Sequence, residues 1–178
     1  MKQFKKLGAL LTALAVVCSV SVAAFAAVED TGFADVAADS WYADAAAYCR
    51  DSGLMSGTGG TTFSPDAVMT RAMLATVLYR LAGSPAVTGT DAFTDTADGT
   101  WYADAVLKAS TAGVLQGDGA NARPSATITR QEAMVMLARV MKLSGEAGAS
   151  AGFADQDQIA SWALDAVKSM AAKGYVNG

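Results

Sequence analysis

The sequence contains no histidine among its 178 residues. This absence removes the commonest general base, the commonest zinc ligand and every catalytic triad that depends on histidine. Proline is also scarce, with three residues, and no segment alternates polar and apolar residues as a half-buried strand does. The lack of histidine argues against zinc-dependent and triad-based hydrolysis but leaves open a glycosidase that uses two carboxylates, and the lack of strand signals favours helices joined by loops.

Cysteine is nearly absent as well. Cys18 falls in the apolar N-terminal run, so one cysteine, Cys49, remains in the rest of the chain. A single thiol excludes an intramolecular disulfide. Because Cys49 lies on an apolar helical face, we expect a buried thiol rather than a reactive one.

The N-terminus has the layout of a secretory signal peptide. Three lysines occur among the first six residues, an apolar run follows over residues 7–22, and Ala24-Phe25-Ala26 offers a small-x-small cleavage site. The run is short for a membrane anchor. We therefore predict that residues 1–26 are a signal peptide, that the protein is secreted, and that no membrane span remains after cleavage.

Basic residues are outnumbered by acidic ones. The chain has 13 Lys+Arg and 17 Asp+Glu, a net charge of −4, and without the three signal lysines the balance is 10 against 17, or −7. Binding to nucleic acid needs a basic stripe, so we exclude nucleic acid as a partner. An acidic protein binds an acidic polymer only through local basic grooves.

The sequence contains an internal repeat, with two full copies and a partial third copy. Phe-x-Asp occurs at Phe33, Phe93 and Phe153, and these starts are 60 residues apart. Tryptophan follows in each copy, with a glycine twelve residues after it. The repeats comprise residues 32–83 (repeat 1), residues 92–145 (repeat 2) and the partial unit 152–178 (repeat 3).

The first half of each repeat predicts a helix that begins at the tryptophan. A serine or threonine before it is a natural N-cap, and an aspartate three residues after it suits the helix dipole. We expect the tryptophans to be core anchors and the closing glycines to be left-handed C-caps. The expected caps are Ser40, Thr100 and Ser161, the anchors are Trp41, Trp101 and Trp162, and the glycines are Gly53, Gly113 and Gly174.

A Gly loop and a second helix complete repeats 1 and 2. The loops are "GTGGTTFSPDAV" (57–68) and "GDGANARPSATI" (117–128). Thr70 and Thr129 then predict helix N-caps, each followed by one apolar stripe suited to a bundle. Glu132 can complete a capping box, whereas Met73 at the same place in repeat 1 cannot.

Arg71 and Arg130 stand in the first turn of these second helices, where the helix dipole disfavours a cation by a few tenths of a kcal/mol, on the order of 0.3. One interpretation is a surface arginine paired with a nearby acid. The other is a binding role, because a guanidinium fork beside free helix N–H groups can hold a carboxylate. Repetition at the same position favours binding.

Taken together, "FADV", "WYADA", "GLMSG", "FSPD", "MTRAML" and "ITRQEA" resemble the S-layer homology (SLH) domain. The resemblance implies an all-α fold in which tandem helix-loop-helix repeats form a pseudo-threefold spindle, here incomplete. It further implies a non-catalytic module that anchors exported proteins at the cell wall or S-layer. Its implied ligand is secondary cell-wall polysaccharide bearing pyruvate, held in grooves between repeats by the signature arginines.

Several residues are therefore candidates for polysaccharide binding: Arg71, Arg130, Gly57, Gly59, Gly117, Asp118, Gly119, Tyr42 and Tyr102. We expect no catalytic residue, no metal and no cofactor. Two alternatives remain: a helical protein-interaction module, or the N-terminal anchor of a larger exported wall-active enzyme. For the partial repeat 3 we expect either a fragment of a longer protein or a fold completed by a partner.

Overall fold

The computed structural model describes residues 30–90, 93–143 and 152–177, and within them the fold is all-α, as predicted. The predicted signal peptide, residues 1–26, lies outside the described residues, as does Gly178. No described helix is long and apolar enough to cross a membrane. The helices are α1 (Ala43–Asp51), α2 (Arg71–Leu81), α3 (Ala103–Thr111), α4 (Arg130–Val140) and α5 (Leu164–Ala172), with a 3₁₀ turn at Gln156–Gln158.

The first helix of each repeat begins later than predicted. α1, α3 and α5 start two residues after their tryptophans, and no side chain in the described part of the chain caps them. The expected caps Ser40, Thr100 and Ser161 are therefore wrong. In repeat 1 the Ser40 carbonyl instead accepts a turn bond from the Ala43 N–H at 2.9 Å. An aspartate does lie in each first turn, at Asp44, Asp104 and Asp165, as the sequence predicts.

The tryptophans are not core anchors. Trp41 is 93% exposed, Trp101 64% and Trp162 58%, because each lies in the turn before its helix rather than on the buried face. Small residues hold the inward positions instead, such as Ala43 and Ala163, which are at most 2% exposed. The small side chains let neighbouring backbone approach closely. Cys49 also differs from expectation, since it is half-buried, although desolvation raises its pKa.

The predicted glycine C-caps are present. Gly53, Gly113 and Gly174 have φ of 70°, 69° and 71°. In repeat 2 the Val114 N–H reaches back to the Ala109 carbonyl at 2.8 Å while Gly113 bonds Ser110, which is the Schellman pattern. A Cβ disfavours this left-handed conformation, so glycine is the residue that adopts it at least cost.

The second helices are capped as predicted. Thr70 and Thr129 each accept a bond from the N–H three residues later. Glu132 completes the capping box of α4, accepting from the Thr129 N–H at 2.8 Å. The expectation that Met73 loses this partner is wrong, because the Met73 sulfur accepts from the Thr70 N–H at 3.4 Å.

Helices pair across repeat boundaries. α2 of repeat 1 packs against α3 of repeat 2, α4 of repeat 2 packs against α5 of repeat 3, and α2 meets α4. α4 lies between two cores, since Met136 belongs to the core with α2 and α3, and Met134, Val135 and Ala138 to the core with α5. The sequence predicted a single apolar stripe on α4. The helix instead has two apolar faces, one in each core.

In repeats 1 and 2 the aspartate of Phe-x-Asp ties the Gly loop to the rest of the repeat. Asp95 accepts the N–H groups of Ala122 and Arg123, both at 2.8 Å. Asp35 accepts those of Phe63 and Ser64 in repeat 1 in the same way. These loop bonds lower the pKa of Asp35. The left-handed backbone of Ser64 (φ 62°) and Arg123 (φ 55°) is held in place by these bonds.

We predict that Asp95→Ala lowers the free energy of unfolding by about 1–3 kcal/mol, because two loop N–H groups lose their acceptor. The equivalent Asp155→Ala in repeat 3 is the matched control. Among the described residues no donor bonds the Asp155 carboxylate, so its loss leaves stability within about 0.5 kcal/mol of the parent. Urea unfolding followed by circular dichroism measures both, and equal losses would contradict the assignment.

Candidate functional site

Arg71 lies buried between repeats 1 and 2, with 4% of its surface exposed. Its Nε donates to the Ala122 carbonyl at 2.9 Å, and one terminal nitrogen donates to the Gln116 carbonyl at 2.7 Å. The other terminal nitrogen pairs with the Glu132 carboxylate at 3.1 Å. Burial lowers the Arg71 pKa, and the Glu132 charge opposes that shift. The guanidinium thus joins the Gly loop and α4 of repeat 2 to repeat 1.

Glu132 has more than its capping role. Partial burial disfavours its charge, but the amide and hydroxyl of Thr129 and the charges of Arg71 and Arg123 outweigh that, so its pKa is lowered. Arg123 approaches the same carboxylate at 3.6 Å and pairs with Asp118 at 3.1 Å. Glu132 is therefore ionised. Together with Thr129, Arg71 and Arg123 it forms a charged cluster, the charge hub, at the boundary between repeats 1 and 2.

The start of α2 is covered by repeat 2. The Arg71 N–H donates to the Ala126 carbonyl and the Ala72 N–H to the Pro124 carbonyl, both at 3.0 Å. The expectation of free N–H groups at this helix start is therefore wrong, because the second Gly loop provides their acceptors. At the start of α4, by contrast, no described acceptor bonds the N–H groups of Arg130 and Gln131.

A groove of about 190 Å³, the central groove, opens beside Arg71. All three repeats contribute, since Arg71 comes from repeat 1 and Trp162 from repeat 3. Three arginines against one glutamate give its lining a net charge of +2, and Asp118, which pairs with Arg123 beside the lining, lowers the local charge to +1, on a protein whose net charge is −4. The lining residues are Arg71, Gln116, Gly117, Arg123, Glu132, Val135, Met136, Arg139 and Trp162.

A second, larger cavity of about 380 Å³, the Arg130 pocket, lies between α4 and repeat 3. Arg130 is exposed there and donates to the Asn177 carbonyl at 2.7 Å. Asn177 is the repeat 3 counterpart of Gln116, so this bond repeats one of the Arg71 bonds. The lining residues are Thr129, Arg130, Gln131, Met134, Phe153, Asp155, Gln158, Ile159 and Val167.

The other predicted binding residues are scattered. Gly117 lines the central groove, where a side chain would collide with the Asn121 carbonyl and the Phe93 ring, and Asp118 pairs with Arg123. Gly57 packs in the same way in repeat 1, and Gly59 pairs with Thr62 in a β-bridge at its loop tip. Neither cavity is lined by the remaining candidates, which are Gly57, Gly59, Gly119 and the half-buried Tyr42 and Tyr102.

Sequence reasoning missed Trp162, Arg123 and Arg139 as groove residues. Arg139 bonds the Val114 carbonyl at 3.1 Å and the Gln116 side chain at 2.9 Å, and Arg80 makes the equivalent bond to Leu54 in repeat 1. The recurrence of arginine near the end of both second helices was an available signal. The exposure of Trp162 depends on where the helix begins, which the sequence did not predict.

Repeated helical units that interlock around a small basic groove define a module built from tandem helical repeats. The S-layer homology domain model matches residues 32–73, 92–134 and 152–178. The chain belongs to the S-layer homology domain family. Domains of this family are cell-wall anchoring modules, which places the protein at the bacterial cell surface.

Known relatives include both enzymes and surface-layer proteins. The chain is 33% identical over 159 residues to an amylopullulanase of Thermoanaerobacterium thermosulfurigenes, covering 86% of this chain and 8% of the enzyme. It is 33% identical over 121 residues to the surface-layer 125 kDa protein of Lysinibacillus sphaericus, and the match covers 64% of this chain and 10% of that protein. An S-layer protein of Bacillus thuringiensis subsp. finitimus is 32% identical over 113 residues, covering 62% and 14%. The chain thus spans a small part of each relative.

We predict that Arg71→Ala lowers the free energy of unfolding by about 3 kcal/mol, since it leaves two buried carbonyls without a donor and removes the nearest cation from the partly buried Glu132 carboxylate. Arg130→Ala is the matched control at the equivalent, exposed position, with an expected cost below about 1 kcal/mol. Chemical denaturation measures both. A cost for Arg71→Ala no larger than that of the control would show that the buried bonds contribute little.

We also predict a loss of stability in acid that depends on Glu132. Its folded pKa lies below the ordinary value of 4.5, so the stabilisation is fully present above that pH and is lost as the pH falls through the folded pKa. Glu132→Gln removes this contribution. Its unfolding free energy therefore declines less steeply than that of the parent between about pH 5 and pH 3, and parallel curves would contradict the prediction.

Proposed function

We propose that this protein anchors at the bacterial cell wall by binding an acidic, pyruvate-bearing secondary cell-wall polysaccharide in the central groove. The observation that carries the proposal is the local positive charge of this groove on a net-acidic protein. General electrostatic attraction to an anionic polymer is absent here, so binding must come from a local site.

The groove combines the two kinds of contact that an acidic sugar needs. Arg123 is about half exposed, with a side-chain exposure of 47%, and its guanidinium can hold a carboxylate through two parallel hydrogen bonds. Trp162 presents an exposed aromatic face in the same groove. An aromatic ring packs against the C–H face of a sugar while the arginines meet its acid group.

The two signature arginines, Arg71 and Arg130, have different roles in this proposal. Arg71 forms the groove floor and holds the Gly loop that carries Gly117 and Arg123, so it acts mainly through position. Its nearly complete burial supports that division. Arg130 is exposed and remains a candidate for direct contact with an acid group, in the other cavity.

Anchoring a larger wall-active enzyme is the second candidate function. The observation that favours it is the match to an amylopullulanase. The chain is 33% identical to a segment that makes up 8% of that enzyme. In that case the chain supplies attachment, and catalysis belongs to a separate domain. This role uses the same groove, so it does not alter the binding chemistry proposed for the anchor.

We expect Trp162→Ala to weaken binding of the mature protein to purified, polysaccharide-bearing wall sacculi about tenfold, which corresponds to about 1.4 kcal/mol for one aromatic contact. The measurement is the fraction of protein that co-sediments with sacculi over a range of concentrations. Trp101→Ala is the matched control, because Trp101 is exposed at the equivalent position and lines neither cavity.

Two further sacculus preparations show whether binding depends on the polysaccharide and on its pyruvate groups. Sacculi from which the polysaccharide has been stripped, and sacculi that lack its pyruvate groups, should both lose most of the binding. Equal binding to stripped peptidoglycan would overturn the polysaccharide proposal, and equal binding without pyruvate would overturn the role of the acid group. Equal effects of the two tryptophan variants would remove the central groove as the site.

A further inference from the structure

We propose that the Asp118 carboxylate is an internal stand-in for the acid group of the ligand. It occupies the Arg123 guanidinium in the free protein, and the ligand displaces it on binding. The inference rests on the proposed function, since it concerns the same central groove. Asp118, which the sequence predicted to be a ligand contact, instead restrains the affinity of the groove for an acidic sugar.

The Arg123 guanidinium is already paired on both of its edges. Its Nε pairs with the Asp118 carboxylate at 3.1 Å, and one terminal nitrogen pairs with the Glu132 carboxylate at 3.6 Å. A carboxylate that binds an arginine through two parallel hydrogen bonds uses either Nε with a terminal nitrogen or the two terminal nitrogens. Each of these edges contains an engaged nitrogen. An entering acid group must therefore displace Asp118 or Glu132 to bind in this way.

Asp118 is the less firmly held of the two carboxylates. The Glu132 side chain is 19% exposed, and it also accepts from the Thr129 N–H at 2.8 Å and pairs with Arg71 at 3.1 Å. The Asp118 side chain is 58% exposed, and an ion pair between exposed side chains contributes little to stability. The Asp118 N–H donates to the Asn121 carbonyl at 3.0 Å. Because that bond holds the backbone, the carboxylate can turn towards solvent while the loop keeps its shape.

The equivalent contact in repeat 1 is neutral. Thr58 stands where Asp118 does, directly after the glycine that packs on the ring of the Phe-x-Asp phenylalanine. Ser64 stands where Arg123 does, with its N–H on the aspartate of that motif. The two hydroxyls are 2.6 Å apart. The loop thus closes across these positions without charge, so loop closure does not explain the ion pair in repeat 2.

The charged pair lies where the loop borders the central groove. Thr58 and Ser64 line neither cavity, whereas Arg123 lines the groove. Burial lowers the pKa of Arg71, and the charges of Glu132 and Asp118 both oppose that shift, so the Asp118 carboxylate lies in the field of a second arginine. The groove therefore holds an anion at this position already, and a ligand carboxylate that replaces Asp118 meets the same two cations.

The first test uses the mature protein with sodium pyruvate as a small carboxylate probe, at constant ionic strength. The backbone amide signals of Gly117 and Gly119 in NMR spectra follow binding. Asp118→Thr, which introduces the repeat 1 residue, should lower the pyruvate concentration at half-saturation about three- to tenfold, because the probe no longer competes with an internal carboxylate. Arg123→Gln should weaken binding at least about tenfold, and adding Asp118→Thr to it should change nothing further.

Asp66→Ser is the matched control. It removes one negative charge from the Gly loop of repeat 1, introduces the residue that repeat 2 has at the equivalent position, and lies outside both cavities. Its half-saturation should stay within about 1.5-fold of that of the parent, since salt screens a charge outside the groove. An equal gain in both variants would reduce the effect to net charge. That result would overturn the proposal, as would a gain that persists without Arg123, no gain, or weaker binding by Asp118→Thr.

Wall polysaccharide released from the sacculi is the second probe, and it separates this inference from the proposed function. Tighter binding of both probes by Asp118→Thr supports the two together. If the pyruvate results are as expected but the parent does not bind the polysaccharide, the proposed function fails and the assignment of Asp118 stands. If the parent and Asp118→Thr bind the polysaccharide equally well and pyruvate equally well, the assignment fails and the proposed function stands.

Discussion

The guanidinium of Arg71 is the interaction on which the boundary between repeats 1 and 2 depends. It lies 4% exposed and bonds two loop carbonyls and the Glu132 carboxylate. Burying a cation in this way is costly unless its donors find partners, so the surrounding groups must be held accurately in place. The Asp95 bonds to the loop and the Thr129–Glu132 capping box do this. The Gly loop, the charge hub and the floor of the central groove therefore form one connected network.

The pairing of helices across repeat boundaries explains why this network matters. Since α2 packs on α3 and α4 on α5, a single repeat does not bury its own helices, and each boundary is part of the core. α4 contributes to both cores, with Met136 on one side and Met134 and Val135 on the other. A change at a boundary residue therefore affects stability and groove shape together.

The sequence predicted the parts of the fold that are set by local chemistry. The second helices begin directly after Thr70 and Thr129 because a β-hydroxyl beside helix N–H groups is a local capping signal, and glycine follows the first helices because it adopts the left-handed conformation at least cost. The tryptophans were wrongly predicted to be buried, since burial depends on where each helix begins and on which neighbour covers it. The groove residues Arg123, Arg139 and Trp162 come from two repeats, and their convergence depends on tertiary packing that spacing along the chain does not encode.

The two signature arginines show that equivalent sequence positions need not have equivalent environments. Arg71 and Arg130 each follow a threonine N-cap, each begin a helix and each donate to an equivalent backbone carbonyl. Arg71 is nevertheless buried, whereas Arg130 is exposed. The difference is made by a neighbouring segment rather than by either arginine, because the Gly loop of repeat 2 covers Arg71. The position of Arg71 in the first turn of its helix, where the dipole disfavours a cation, is thus explained by the loop carbonyls that it binds. We propose that contact with an acidic sugar belongs to the arginines that the loop leaves accessible, in addition to this structural role of Arg71.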